Sequence, residues 1–173
     1  MQPARAFLSL GSNLGDRAGY LRAAVQSLRR CEFADVVDVS YVYETAPVEV
    51  EGEQPEYLNC AVEMSCRASA VELLRYCQGV EAALGRSGKG EKAPRTVDID
   101  ILLLGDEEFE EGGFRLPHRG IRRAFNLRTL ADLDYALYIP GIGRVGEQLA
   151  ALGEDELSGL RELGRLEEVV GRC

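Results

Sequence analysis

Within the segment 95–104, RTVDIDILLL, Asp98 and Asp100 stand two apart in a run of aliphatic residues. Alternate residues of a strand face the same side, so the two carboxylates point together, roughly 6.5–7 Å apart at the backbone. Ile99, Ile101 and Leu103 take the other face. Beyond Asp100 both faces are apolar, the pattern of a central strand. Paired carboxylates at the mouth of such a strand repel each other and are costly to desolvate. Two Mg²⁺ ions about 3.5–4 Å apart, bridged by such a pair, relieve both problems, and sites of this kind serve phosphoryl or nucleotidyl transfer. A plainer reading leaves one Asp exposed at a strand end and the other capping a turn. Neighbouring cations weigh against it. Arg95 lies three residues upstream of Asp98, and Arg86 and Lys89 lie on the preceding loop. Cations beside paired acids are what a metal–polyphosphate site needs.

Further polar residues can converge there. Gln78 and Glu81 share a helix face by their spacing, next to the Arg86–Lys89 loop; an ordinary exposed helix face has the same pattern. His118 is the only histidine and is followed by Arg119, Arg122 and Arg123. A lone histidine is often structural, but four such residues within six positions suit an anion site. Gly11–Gly15 lacks the Lys-Ser/Thr of a P-loop and reads as a strand-to-helix turn.

The elements that must position these groups follow from periodicity. Residues 6–10 read as a buried strand. Asp16 caps a helix whose apolar positions Leu21, Ala24, Val25 and Leu28 recur at helical spacing. Residues 35–44 read as a second strand, and Tyr57–Ser65 as a third. The polar loop 46–56 lies between them. Ser69 opens a helix with Val71, Leu74, Cys77, Val80, Glu81 and Leu84 on one side, ended by Gly85. After the loop 86–94 comes the strand 97–104, then an acidic solvated turn at 106–113. Phe125–Leu133 returns to the core, and the segment from 146 onward is helical in pattern. The order β-α-β-β-α-β, with helices on one face of an antiparallel sheet, predicts an α+β sandwich of the ferredoxin-like kind. Residues 1–145 form the expected catalytic domain, and 146–173 a helical tail packed on it or extending it.

The chain has 173 residues, 46% hydrophobic and 28% charged, enough for one domain with a full core. Asp and Glu outnumber Lys and Arg by 29 to 20, for a net charge of −9, which argues against a nucleic-acid-coating protein. Small anionic ligands remain open to it. The five cysteines form no CxxC and, with one histidine, no zinc spacing. Free thiols, no visible signal peptide and no bilayer-length apolar run together lead to the expectation of a cytoplasmic protein.

The segments FLSLGSNLGDR (7–17), YETAPV (43–48), YLNCAV (57–62), ELLRYCQGVEAALGR (72–86), PRTVDIDILLLGD (94–106) and LPH…RRAF (116–125) together resemble the 6-hydroxymethyl-7,8-dihydropterin pyrophosphokinase family of folate biosynthesis. The resemblance runs from about residue 6 to about residue 133. It implies transfer of the pyrophosphoryl group of ATP to the hydroxymethyl oxygen of the pterin, with release of AMP. It implies two Mg²⁺ ions on Asp98 and Asp100, and places Arg86 and Arg95 with the catalytic residues. It implies an ATP site of Gln78, Glu81, Arg86, Arg95, His118 and Arg123, and a pterin site of Thr45, Pro47, Tyr57, Asn59 and Phe125. It also implies mobile loops at 11–15, 46–56 and 86–94. The expected partners are these small molecules, with no nucleic acid or membrane, and the expected state is a monomer. Leu127-Arg128-Thr129-Leu130 stands where the family carries Leu-x-Pro-Leu. Two other readings of the chain are a ferredoxin-like regulatory module and an interaction domain that dimerises through its leucine-rich tail.

Overall fold

The computed structural model describes residues 2–47, 52–85 and 96–172. Strand β1 (Ala4–Ser12) leads into helix α1 (Arg17–Arg29), followed by β2 (Ala34–Val39), β3 (Val42–Thr45) and β4 (Tyr57–Cys66). Helix α2 (Ala70–Ala83) and strand β5 (Asp98–Leu104) complete the β-α-β-β-α-β order. Then come a hairpin of β6 (Phe109–Glu111) and β7 (Phe114–Leu116), helix α3 (Ala124–Leu133), and a small ribbon of β8 (Tyr138–Ile139) and β9 (Gly143–Arg144). Helices α4 (Val145–Ala150) and α5 (Glu154–Ser158), strand β10 (Arg161–Gly164) and helix α6 (Leu166–Val170) end the chain. The main sheet runs β10-β3-β4-β1-β5, with β2 also paired to β4, and every pairing is antiparallel. This is the expected ferredoxin-like α+β sandwich.

Local chemistry accounts for the helices. Asp16 accepts a hydrogen bond from the Gly19 amide at 3.1 Å, and α1 buries Ala18, Leu21, Ala24, Val25 and Leu28. Ser69 and Glu72 form a reciprocal capping box at the start of α2. The stripe that α2 buries is Ala70, Leu73, Cys77, Val80 and Glu81, so Val71 and Leu74 are shifted off the side expected for them.

The sheet carries helices on both faces, which corrects the one-face layout. One core holds Ala6, Leu8, Leu10, Ile99 and Ile101 with α1 and α2. A second gathers Phe7, Leu102 and Leu103 against Leu127 and Leu130 of α3 and Val145 and Leu149 of α4. Between the pairs Phe7–Leu103 and Leu8–Ile101 the register slips, leaving Leu102 as an extra residue. The bulge moves Leu103 away from the face of Ile99 and Ile101.

Other expectations shift in the same way. Gly11 and Ser12 extend β1 instead of breaking it. The single strand over 35–44 divides at Ser40, whose hydroxyl accepts from the Ala61 amide and donates to the Tyr41 carbonyl, both at 2.8 Å. The acidic turn is a hairpin in which Phe109 and Phe114 pack at 5.5 Å across Gly112 and Gly113, both with positive φ. The tail is not helical throughout: β10 joins the sheet beside β3, while α6 packs on α1 and α4 on α3.

Candidate active site

Cross-strand register assembles the site. Tyr43 of β3 pairs with Asn59 of β4, Asn59 with Gly11 of β1, and Gly11 with Asp98 of β5. The next row of the same face holds Ala61, Ser9 and Asp100. Directly opposed residues share a face, so Asn59, Asp98 and Asp100 all lie on the α3 side. Asn59 and Asp98 stand two strand spacings apart, about 10 Å.

At the β4 end the site is buried and tightly bonded. Asn59 Nδ2 donates to Thr45 Oγ1 at 2.7 Å, and both residues are buried. A side chain on Gly11 would come within 3.1 Å of Asn59 Oδ1 and 3.4 Å of the Tyr57 ring, so the amide and ring close over bare backbone there. Ser12 and Asn13 are fully buried beside them, and Asn13 Nδ2 reaches Gln54 Oε1 at 3.2 Å. The Ser12 hydroxyl has no hydrogen-bond partner among the described residues. Pro47 and Phe125 are half-buried at their respective ends of β3 and α3.

The β5 end is an open pocket of about 430 Å³. Gln78, Glu81, Asp98, Asp100, His118 and Arg123 all line it. Six of the residues expected at the nucleotide are thus brought together. Arg86 and Arg95, and the loop 86–94 they flank, lie outside the described residues. Glu81 is buried on α2, and its Oε2 accepts from the Ile99 amide at 3.0 Å, midway between the two aspartates on the sheet edge. His118 Nε2 lies 3.6 Å from Asp100 Oδ1, while its Nδ1 accepts from the Gly120 amide at 3.0 Å. That second bond places the proton of neutral His118 on Nε2, facing the acid.

Residues not expected at the site also line this pocket: Gly112, Gly113, Phe114 and Arg115 of the β6–β7 hairpin. The Gly-Gly turn of the β6–β7 hairpin was the signal that could have placed them.

Among the described residues no group of three or more His, Cys, Asp or Glu is placed to hold a metal by itself. Two adjacent carboxylates with an open side still suit Mg²⁺, which binds through one or two carboxylates and completes its shell with water and phosphate oxygens. The described thiols are free, buried and far from reactive: burial pushes Cys60 up to about 12 and raises Cys77 further, aided by the Glu81 carboxylate.

Behind β3, burial raises the Tyr43 hydroxyl well above its ordinary range, although Arg128 donates to it at 2.9 Å. It donates to Asp132 at 2.8 Å, tying β3 to α3. Glu44 faces the other way. Burial would raise its carboxyl, but Arg17, at 2.9 Å, and Arg161 of β10 together hold it below the usual carboxylate range.

The chain matches the family of 7,8-dihydro-6-hydroxymethylpterin-pyrophosphokinases over residues 7–135. It is 43% identical over 129 residues to the 2-amino-4-hydroxy-6-hydroxymethyldihydropteridine pyrophosphokinase of Bacillus subtilis, covering 74% of this chain and 77% of that one. It is 39% identical over 136 residues to the folic acid synthesis protein fol1 of Schizosaccharomyces pombe; the match takes in 78% of this chain and 18% of that longer protein. In fold it is similar to a crystallised HPPK-DHPS in complex with substrates, with a TM-score of 0.70 at 11% identity over 87% of this chain and 43% of that one. No helix among the described residues is long and apolar enough to cross a membrane.

Proposed function

The chain belongs to the 7,8-dihydro-6-hydroxymethylpterin-pyrophosphokinase family, the ATP-dependent pyrophosphokinases of folate synthesis, and from that premise we propose which of its residues carry the reaction and how. The substrates are ATP and 6-hydroxymethyl-7,8-dihydropterin, and the products are the pterin diphosphate and AMP. The observation that carries this reading is the row Asn59–Gly11–Asp98. It sets a buried amide and a carboxylate on one face, about two strand spacings apart. A flat heterocycle held at the first reaches a polyphosphate held at the second.

Asn59 pairs with the donor–acceptor edge of the pterin through the amide that Thr45 fixes. Tyr57 and Phe125 offer aromatic faces to the ring, and Pro47 closes the wall. Asp98 and Asp100 hold two Mg²⁺ ions, which when bound neutralise the triphosphate and polarise the phosphoryl group. Gln78 and Glu81 line the nucleotide side, and Glu81 also fixes the edge of β5 through the Ile99 amide. His118 and Arg123 face the phosphates, and Arg86 and Arg95 supply further positive charge to them. The hydroxymethyl oxygen bonds to the β-phosphorus. The bond from that phosphorus to the bridging oxygen breaks, AMP leaves with that oxygen, and the hydroxyl proton departs toward Asp100. No covalent protein intermediate is needed, so positioning and charge neutralisation provide the catalysis. The enzyme works as a cytoplasmic monomer on small molecules, without nucleic acid or membrane; its free buried thiols support a reducing compartment.

The test is AMP formation from ATP, measured with and without the hydroxymethyl pterin. The reading predicts AMP and pterin diphosphate in equal amounts, and only when both substrates are present. AMP without pterin, or ADP in its place, contradicts it.

A further inference from the structure

His118 and Arg123 stand on one turn, and the way that turn is held points to a residue outside the site. Gly120 is gripped on both sides. Its amide donates to His118 Nδ1 at 3.0 Å. Its carbonyl accepts from the Arg123 amide at 3.0 Å and from Asn126 Nδ2 at 2.8 Å. A side chain on Gly120 would meet the Arg123 guanidinium group at 3.3–3.4 Å, so that group lies across the glycine.

Asn126 is an odd choice for where it sits. It is 3% exposed, on the first turn of α3, and its Oδ1 has no hydrogen-bond partner among the described residues. A buried polar atom without a partner is destabilising. The carbonyl that Asn126 serves already has a backbone donor, so the side chain does not rescue an orphaned group. An amide nitrogen must face a carbonyl, which excludes the flipped orientation. A residue whose stabilising return is so small is held for what it positions.

We propose that Asn126 is a positioning residue for nucleotide binding: its bond to the Gly120 carbonyl fixes the turn that directs the His118 Nε2 proton toward Asp100 and lays Arg123 along the phosphate side of the pocket. The proposal rests on the assignment of that pocket to the triphosphate.

The test uses Asn126→Leu, close to asparagine in size, with Asn126→Ala as a second variant should the leucine misfold. His118 is the only histidine, so long-range proton–nitrogen NMR of the metal-free enzyme reads one imidazole without overlap. In its neutral form the wild type shows Nδ1 bare and Nε2 protonated. The variant shows a mixture of tautomers, its melting temperature is unchanged or raised, and its KM for ATP rises about five- to tenfold, the loss of one well-aimed hydrogen bond. Its KM for the pterin stays within about twofold. An unchanged tautomer with an unchanged ATP KM overturns the proposal. So does a lowered melting temperature with both KM values rising together, which marks a purely structural residue. The tautomer is read without turnover. A wild type that shows the single tautomer but makes no pterin diphosphate therefore contradicts the functional assignment and not the role of Asn126 in the turn.

Discussion

The two ends of the site are built differently. Around Asn59 the polar groups are buried inside the sheet and fixed by strand register, with the Asn59 amide bonded to the Thr45 hydroxyl. Around Asp100 they sit half-exposed at a sheet edge, facing a turn and a hairpin: the Asp100 and His118 side chains are 42% and 28% accessible. A neutral, flat ligand offers only shape and a few hydrogen bonds, so its receptor must be formed in advance. A triphosphate with divalent cations brings its own strong charges, so its receptor can keep open positions and solvated acids. On the proposed assignment the pterin end is therefore part of the fold, and the nucleotide end is an arrangement laid on its rim.

Substitutions that touch one end only should separate the two. The largest effect belongs to Asp98→Ala and Asp100→Ala. Each lowers turnover by at least about 10²–10³-fold, as removal of a key electrostatic group does, while the melting temperature holds or rises because two crowded carboxylates become one. Initial-rate assays and thermal melts check this, and a variant that keeps most of its Mg²⁺-dependent activity breaks the comparison. Asn59→Ala comes next. It weakens pterin binding by about 1–3 kcal/mol and leaves ATP binding unchanged, as calorimetry with each ligand separately can show. Equal losses for both ligands would make Asn59 a residue of the fold alone.

Glu44 pries at the buried end from its outer side. Its carboxyl is held below the ordinary value, so the charged form is the one stabilised by folding. That stability is fully present above the unfolded-state value of about 4.3 and is lost as pH falls through the lower folded-state value. Glu44→Gln should cost about 1–2 kcal/mol at neutral pH and flatten the acid limb of a stability–pH curve; identical acid limbs would show that the Arg17 and Arg161 pairs contribute nothing. The smallest effect is expected of Gly11→Ala. A methyl group 3.1 Å from Asn59 Oδ1 must shift the amide by a few tenths of an ångström, raising the pterin KM by about two- to fivefold, with the ATP KM unchanged.

The sequence carried more of this architecture where a single period governs a segment. The α1 stripe and the shared face of Asp98 and Asp100 follow from periods of 3.6 and 2, and the Asp16 cap from the capping preference of its side chain. The cross-strand row of Asn59, Gly11 and Asp98 could not be read that way, because register between strands is a property of pairing and not of any one segment. Leu103 changed face for a related reason: the extra residue Leu102 is invisible in a uniformly apolar run. Strand β10 has the sequence RELG, with no β-former beyond a single leucine, and is a strand because the edge of β3 offers it partners, Arg161 opposite Glu44 among them. Buried Glu81 was visible on the predicted apolar side of its helix, but its bond to the Ile99 amide needed the tertiary structure. The roles of Gln78, Glu81, Asp98, Asp100, His118 and Arg123 rest on resemblance to the family and on the pocket they line, those of Thr45, Tyr57 and Asn59 on resemblance and on the contacts at the β4 end, and those of Pro47, Phe125, Arg86 and Arg95 on resemblance and sequence alone.

The central claim is that the ends are separable, with Asp98 and Asp100 serving the metal-bound triphosphate and Asn59 the pterin. It is tested most directly by titrating wild type and Asp100→Ala with a non-hydrolysable ATP analogue in Mg²⁺, then each with the hydroxymethyl pterin alone. The account predicts that the variant loses the analogue by at least about tenfold in affinity and binds the pterin as the wild type does. Undiminished analogue binding by Asp100→Ala, or a parallel loss of the pterin, would contradict it.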